Sequence, residues 1–560
     1  MPAPSGQLTA PPRVLLTVTW AGRVWRVADR SVDVYESSTG TWHHYSGGLP
    51  ELEPCEEAPL FEVGQPPSLS VDASLLADLA LYLAEHHGAD QAEGEVALYR
   101  EGDDYTARLV MVRGTVSIDE IGGTGEPLRV TLAGWDPADS SREWPPPDAK
   151  AGPETWTTND YASLTPDPDG RVRAYAEAAE GVPYPWVLGR PGAIRRNGIA
   201  VQVWATPVIP VMLLTSGPPV VEVPPGAGYA YSAPLLGQYG LIAGHLVPPQ
   251  HVHIYDVTAG STTPCGVYWA LDALGRRVSV IGNGALAILR GQVYYCCWDS
   301  TEGAGGLPRY VGGPSLFGAG DLIRWALEVA GVPVDWRRCG PVLPLLNSVK
   351  ISGYWSGTCP AWSWLCDNVF PLLPVSWVPG PNGLYPVLFR VSATSADAVA
   401  HLRDGNGGVC FEGPLEVEGR DEVKSGISLE YAQGLQSSKR WKRSRWGSTW
   451  AKVGDSPCLH LRRAGLSVAD ASDVETSTEY VYEIQSSDLA VAWQAVAKSG
   501  VRHVARVVGS PRSRVAHLVP GDVVALTSSR LSLSSRVAHV RRAGWRGAIC
   551  YADAVILPEP

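Results

Sequence analysis

The run Leu518-Val519-Pro520-Gly521-Asp522-Val523-Val524-Ala525-Leu526-Thr527, continued over 531–540, restricts the fold of this chain more than any other stretch. Pro520-Gly521 fits the centre of a type II turn. Pro presets φ at about −65° at the first central position, and Gly accepts the positive φ demanded at the second. Val523-Val524-Ala525-Leu526 and Val537-Ala538-His539-Val540 then read as paired strands, with the polar residues 527–530 breaking the pattern between them. Residues 501–508 precede this unit and 549–557 follow it. The chain therefore ends in a small antiparallel barrel or sheet.

The same punctuation runs through the whole sequence. Gly (60) and Pro (47) make up about a fifth of the 560 residues, and Trp (21) and Tyr (22) far outnumber Phe (5) and Met (3). Such a chain favours short strands and loops over long helices. Trp and Tyr carry a polar tip and suit wet subunit interfaces; a GC-rich genome produces part of the same skew. At ~150 residues per domain the length implies about four units, and a hydrophobic content of 45% supports sizeable cores. The net charge of −12 argues against a general nucleic-acid binder and leaves room for a local basic patch. No apolar run reaches the ~18 residues of a membrane span. Met1-Pro2-Ala3-Pro4 lacks a basic start and an apolar core, so we expect no cleaved secretion signal and a soluble protein made in a cytoplasm.

Residues 14–45 alternate as strands: Val14 to Trp20, then Val24 to Val27, then Val32 to Tyr35. Asp72 or Ser74 is placed to cap a helix through Leu75, Leu76, Leu79 and Leu83, ended by Gly88. Strands follow over 94–100, 108–118 and 128–132, with Gly122-Gly123 as a turn. One helix across antiparallel strands predicts a first barrel-like domain over 1–136. The Pro/Asp/Ser-rich stretch 137–169 reads as a linker. In the β-rich middle domain, 170–319, prolines extend 182–189, and Pro207 and Pro210 predict edge or bulged strands within 201–214. A mixed α/β domain occupies 320–414. It holds a helix over 321–330 stopped by Gly331-Val332-Pro333, a second over 360–370, and a hairpin turn at Asn382-Gly383. The last domain, 415–560, begins with an alternating strand over 423–431 and has a helix through Leu489, Ala492, Trp493 and Val496 before its terminal sheet.

Candidate chemistry is sparse. His251, His253 and Asp256 would place two metal ligands on one strand face, but no third ligand accompanies them, and a loop after Pro248-Pro249 is the expectation. His43 and His44 are strand neighbours that point to opposite faces; His86-His87 closes a helix, where a cation suits the dipole. The ten cysteines contain no CxxC and read as buried free thiols. No GxSxG, HExxH or P-loop occurs, and the glycine runs at 122–125 and 303–306 have no helix behind them to hold a phosphate. We therefore expect no catalytic residue, metal or cofactor. The one basic, aromatic-interleaved run is Lys439, Arg440, Trp441, Lys442, Arg443, Arg445 and Trp446. As a strand it would put Lys439, Trp441, Arg443 and Arg445 on one side and Arg440, Lys442 and Trp446 on the other. It fits a solvated hairpin or a contact with an acidic partner, or, more sharply, a grip on nucleic acid.

Three stretches taken together resemble the hub proteins of phage tails, in the siphophage and gene-transfer-agent branch of the baseplate-hub family. The first runs from Leu322-Ile323-Arg324-Trp325-Ala326 through Gly331-Val332-Pro333-Val334-Asp335, Ala361-Trp362-Ser363-Trp364-Leu365 and Phe370-Pro371-Leu372-Leu373-Pro374-Val375-Ser376 to Gly383-Leu384-Tyr385. The second is Arg420-Asp421-Glu422-Val423 to Leu429-Glu430-Tyr431-Ala432. The third is Leu518 to Val524 after a helix of the Leu489 to Val496 type. A weaker likeness covers 70–190, ending in Val182-Pro183-Tyr184-Pro185-Trp186-Val187-Leu188-Gly189.

The resemblance implies a β-rich α+β multidomain chain with two tube-like antiparallel β-barrels and mixed α/β hub domains between them. It implies a non-enzymatic homotrimer at the distal tail tip of a virion. Three chains would present six barrels, a pseudo-sixfold ring able to close a sixfold tail tube. The implied partners are the distal tail protein, the tape-measure protein and fibre or tip proteins, with DNA passing through the channel during genome ejection. A β-rich glycan-binding or glycan-cleaving protein is the alternative suggested by the Trp/Tyr surplus.

Overall fold

A computed structural model of the chain describes residues 12–20, 22–49, 52, 55–58, 68–73, 92–120, 128–152 and 181–188, then strands between 193 and 298 with the segments that join 237–247 and 261–282. It further describes 318–347, 353–355, 357–370, 373, 375–388, 393–418, four short strands between 423 and 459, 502–511, 513–546 and 549–556.

The alternating N-terminal residues form β1 (Arg13–Trp20), β2 (Arg23–Ala28), β3 (Val32–Glu36) and β4 (Thr41–Gly47). After β5 (Cys55–Glu57) come β6 (Ser68–Ala73), β7 (Ala92–Tyr99), β8 (Leu109–Glu120) and β9 (Leu128–Gly134). All but β5 join one sheet in the order β3-β4-β2-β1-β7-β8-β9-β6. Asp72, expected as a helix cap, instead sits in β6 opposite Arg129. The ladder to β9 uses the backbone there, so Asp72 cannot start a helix; the helix expected beyond it lies outside the described residues. The sheet is also not wholly antiparallel, because β4 lies parallel to β2. Strand alternation sets which face is buried, and partner order is decided by long-range packing.

The first part of the expected linker is folded onto the α/β region. A helical turn at Pro137–Ser140 is capped by Asp136. β10 (Glu143–Trp144) then pairs with β23 (Cys359–Pro360), and β11 (Trp186–Leu188) with β22 (Gly353–Trp355). In the middle, β12 (Ala193–Arg196) and β13 (Ile199–Gln202) form a hairpin. An antiparallel sheet collects β14 (Thr206–Pro207), β15 (Ile209–Leu213), β16 (Val221–Glu222), β17 (Gly237–Ala243), β18 (His251–Asp256), β19 (Ser261–Leu271), β20 (Arg277–Gly282) and β21 (Tyr294–Trp298). Its order is β14-β21-β18-β19-β20-β17-β15, with β16 set against β19. The strands carrying Pro207 and Pro210 are its two edges, where a residue without an N–H breaks no ladder.

Helix α1 (Ala319–Ala330) buries Leu322, Ile323, Ala326, Leu327 and Ala330, the one-face spacing read from the sequence, and Gly331 closes it at φ 70°. Helix α2 (Trp336–Leu346) has no counterpart among the elements expected from sequence, and Pro341 and Pro344 stand inside it. Each proline removes one N–H donor. The Asp335 cap and the buried Cys339, Leu343 and Leu346, spaced i, i+4, i+7, hold the helix in spite of them. Helix α3 (Ala361–Asn368) and the hairpin of β24 (Val375–Gly380) and β25 (Gly383–Leu388) complete the region.

The C-terminal sheet draws on β26 (Ala400–Arg403) and β27 (Val409–Glu418), which begin before residue 415. The antiparallel pair β28 (Val423–Lys424) with β31 (Cys458–Leu459) and the hairpin β29 (Ser428–Gln433) with β30 (Arg440–Arg445) lie outside it. With β32 (Arg502–Gly509), β33 (Val523–Ser528), β34 (Leu533–Arg546) and β35 (Ile549–Ile556) the sheet runs β26-β33-β34-β35-β32-β27. Here too one pairing, β26 with β33, is parallel. The protein is thus a β-rich α+β multidomain chain with mixed sheets at both ends. Those end sheets share a core, in which Leu16, Val96 and Val112 of the first pack with Val524, Ala538 and Ala554 of the last. A second core joins α1, α2, α3 and the β24–β25 hairpin to Val504 and Val555. No helix among the described residues is long and apolar enough to cross a membrane.

Candidate functional site

Strand β5 leaves the N-terminal region and completes the C-terminal sheet. β33 pairs with the first half of β34, and β5 continues along the same strand opposite Arg542, Ala543 and Gly544. Ala58 N extends the ladder by donating to Arg541 O at 2.8 Å. Alternation on β5 turns Cys55 and Glu57 one way and Glu56 the other. Arg542 faces the first pair, its Nη2 donating to Cys55 Sγ at 3.4 Å and its Nε lying 3.9 Å from Glu57 Oε2.

Glu56 is buried at 7% exposure among side chains from elsewhere in the sequence. The Tyr385 hydroxyl, on β25, donates to Glu56 Oε2 at 2.7 Å, and Arg338 Nη1, on α2, donates to the same oxygen at 3.2 Å. The Arg338 guanidinium also lies 4.2 Å from the Tyr385 ring centroid and 3.6 Å from Asp335 Oδ2. Asp335 caps α2 by accepting from Arg337 N and Arg338 N, so a single helix start orients both charges.

The turn at 519–522 closes the arrangement. Asp522 N donates to Val519 O at 3.1 Å and Gly521 has φ 95°, the type II geometry expected. A Cβ at Gly521 would stand 3.0 Å from Val387 Cγ1 on β25. Burial raises the Asp522 pKa, opposed by the Val519 N–H and by the charge of Arg338. Burial, and then the Glu56 carboxylate, hold the Tyr385 hydroxyl well above its ordinary range. At Arg338 burial works downward, but Tyr385, Glu56 and Asp335 outweigh it and the shift is upward. The phenol therefore keeps its proton and the guanidinium its charge around neutrality. The cluster ties segments together.

Beside it runs an aromatic seam. Trp355 stacks on Trp364 at 4.5 Å between centroids and meets Trp325 edge-on at 6.4 Å; Trp325 lies 5.9 Å from Trp186, which lies 4.7 Å from Trp144. Trp186 reaches His245 at 5.0 Å. Burial takes the His245 pKa down to about 3, so the imidazole is neutral, and its Nε2 accepts from Val187 N at 3.1 Å. The seam joins segments 144, 186 and 245 to the helices. Aromatic contacts of this kind add ~0.5–1.5 kcal/mol per pair beyond area burial.

The residues singled out from sequence fall elsewhere. Arg440, Trp441, Lys442, Arg443 and Arg445 lie in β30, paired with β29 so that Arg443 is opposite Glu430 and Arg445 opposite Ser428. Lys439 and Trp446 lie outside the described residues, as do His86, His87 and the helix expected over 489–496. His251, His253 and Asp256 are not in a loop but in β18, between β19 and β21, whose ladders supply the pairing that local sequence does not reveal. Among the described residues, no group of three or more His, Cys, Asp or Glu is placed to hold a metal ion. His43 and His44 do face opposite ways, bonding Glu36 Oε2 at 2.9 Å and Asp33 Oδ1 at 2.6 Å. Of the junction, Asp335, Tyr385 and Asp522 fall in motifs that stand out in the sequence, whereas Glu56 and Arg338 do not. Glu56 sits in the run Glu51-Leu52-Glu53-Pro54-Cys55-Glu56-Glu57, which reads as a solvated acidic stretch.

No protein-family model matches the chain, and no curated protein matches it. Solved structures similar to it include the following two. The tail protein from Neisseria meningitidis MC58 is 10% identical, with a TM-score of 0.22 over 66% of this chain and 96% of that one. The virion of a native gene transfer agent particle contains a chain 15% identical, with a TM-score of 0.16 over 54% of this chain and 83% of that one.

Proposed function

We propose that this chain is a structural subunit of a phage or gene-transfer-agent tail, the hub at its distal end, with no enzymatic role. The observation that carries the reading is the convergence of separate stretches. Asp335, Tyr385 and Asp522, quoted above from two of the segments that resemble hub proteins, all lie within the influence of Arg338. Separate motifs that meet around one guanidinium form a single joint, as a part under load requires.

The two end sheets support the second element of the reading. In it, each sheet belongs to one tube-like barrel, and three chains form a pseudo-sixfold ring that fits beneath a sixfold tube. A shared core and a strand passed from one end of the chain to the other suit a part that must transmit load without its modules sliding. The distal tail, tape-measure and fibre or tip proteins are the partners in this reading, DNA crosses the ring at ejection, and the β29–β30 hairpin with Arg440 to Arg445 is a contact for one of them. Mass photometry of the purified chain tests it. A stable species of three subunits is expected; a monomer at micromolar concentration refutes the ring. Electron microscopy of particles lacking the chain should find tails without a closed tip.

A further inference from the structure

The β3–β4 hairpin bears an exposed group of four side chains that the hub reading leaves unused. Alternation turns Asp33 and Tyr35 of β3 to the same face as Trp42 and His44 of β4, and the register sets Asp33 opposite His44 and Tyr35 opposite Trp42. Trp42 is 66% exposed and Tyr35 39%, with ring centroids 5.0 Å apart and planes inclined at 43°. Asp33 Oδ1 and His44 Nδ1 bond each other at 2.6 Å while both side chains stay exposed. Among the described residues, Asp33 Oδ2 and His44 Nε2 take no partner.

The opposite face of the hairpin is fastened down. Val34 and Tyr45 are buried in a small core with Leu15, Ala28 and Tyr99. Ser37 N donates to Asp104 Oδ2 at 2.7 Å, and the His43 ring lies 4.6 Å from that of Tyr105, inclined at 45°, while bonding Glu36. The two outward rings are therefore held on a backed surface, which lowers the entropy lost when something binds to them.

We propose that Tyr35 and Trp42, with Asp33 and His44, form a binding platform for a hexopyranose ring of a glycan chain. The face of a pyranose presents polarised C–H groups to an aromatic ring, and its rim presents hydroxyls to a carboxylate and an imidazole; this patch offers both within two residue pairs. Size decides between a sugar and a protein. Along the two strands the rings are flanked by exposed Ser37 and Ser46, with exposed Thr39 in the turn, whereas a stable protein interface needs roughly 800 Å² per partner around an apolar centre. A flat platform holding about a dozen ligand atoms binds weakly, on the order of millimolar.

Saturation-transfer NMR on the full chain with maltotetraose, cellotetraose and chitotetraose provides the test. At least one is expected to receive saturation on the C–H protons of a single ring face. Trp42→Ala should weaken that binding about tenfold and Trp42→Phe much less; Tyr35→Ala, a smaller change on the same face, gives an independent reading if Trp42→Ala does not fold. Saturation of none of the three sugars, or saturation indifferent to Trp42→Ala and Tyr35→Ala, overturns the proposal. So does self-association of the chain that Trp42→Ala abolishes, since the rings would then be a protein contact. A monomeric chain that still binds sugar through Trp42 would refute the trimeric hub and leave the platform standing.

Discussion

Removing the Glu56 carboxylate is the most direct probe of the junction. Glu56→Gln preserves shape and still accepts from the Tyr385 hydroxyl through its amide oxygen, but it discards the charge that faces Arg338. The Arg338 side chain is 30% exposed and keeps Asp335 at 3.6 Å, so it is not stranded. The loss should therefore be that of one charge-assisted hydrogen bond, about 1.5–3 kcal/mol, and not the full ~3–5 kcal/mol of an orphaned buried ion. Glu56→Ala also leaves the hydroxyl of Tyr385, a residue 2% exposed, without its acceptor and should approach the larger figure. Urea unfolding followed by tryptophan emission reads both, since Trp355 and Trp377 are fully buried in the adjoining core. The decisive measurement is a double-mutant cycle of Glu56→Ala with Tyr385→Phe, each of which removes the hydrogen bond between them. Coupling of at least ~0.5 kcal/mol is expected for groups in one network; additivity would refute the claim that these side chains act as a unit.

Other consequences are equally accessible. Gly521→Ala should cost about 1–2 kcal/mol for its left-handed backbone plus the squeeze against Val387. Gly102→Ala, at φ 93° with nothing within 4 Å, should cost only the first part, so the difference in urea midpoint isolates the contact. His245 is neutral in the fold with a pKa of about 3, against 6.5 when unfolded. Above pH 6.5 both states are neutral and nothing is lost. As pH falls below 6.5 the unfolded chain takes up a proton first, so stability should drop by about 1.4 kcal/mol per pH unit until the folded pKa is passed. His245→Gln, which can still accept from Val187 N, should flatten that slope in unfolding curves at pH 7 and pH 5. Cys339 is buried with its thiol pushed up to about 12, and burial also raises Cys550. Mass-mapped alkylation should therefore label the exposed Cys410 long before either.

Much of the local structure was legible because it is caused locally. The apolar spacing from Leu322 to Ala330 and the closing Gly331 specify α1 whatever it packs on. Pro520-Gly521 specifies its turn through two φ values, and Pro207 and Pro210 exclude themselves from a sheet interior. The cap and apolar face of α2 are equally present in the sequence, but Pro341 and Pro344 argue locally against a helix. Tertiary packing against the β24–β25 hairpin reversed that result.

Partnership was not legible, because it is settled between segments that do not know each other along the chain. β4 and β26 pair parallel to their neighbours, and β5 bonds a strand nearly the whole chain away. Glu56 has the sequence context of a solvated charge. It became a buried tie only when folding brought a phenol from β25 and a guanidinium from α2 to the same oxygen, replacing the water it would otherwise hold. Side-chain type and spacing determined the strands, the helix faces and the turns. Which of them meet, and so where the chain is joined, rests on complementarity in three dimensions, where desolvated groups must find their partners or the fold is lost.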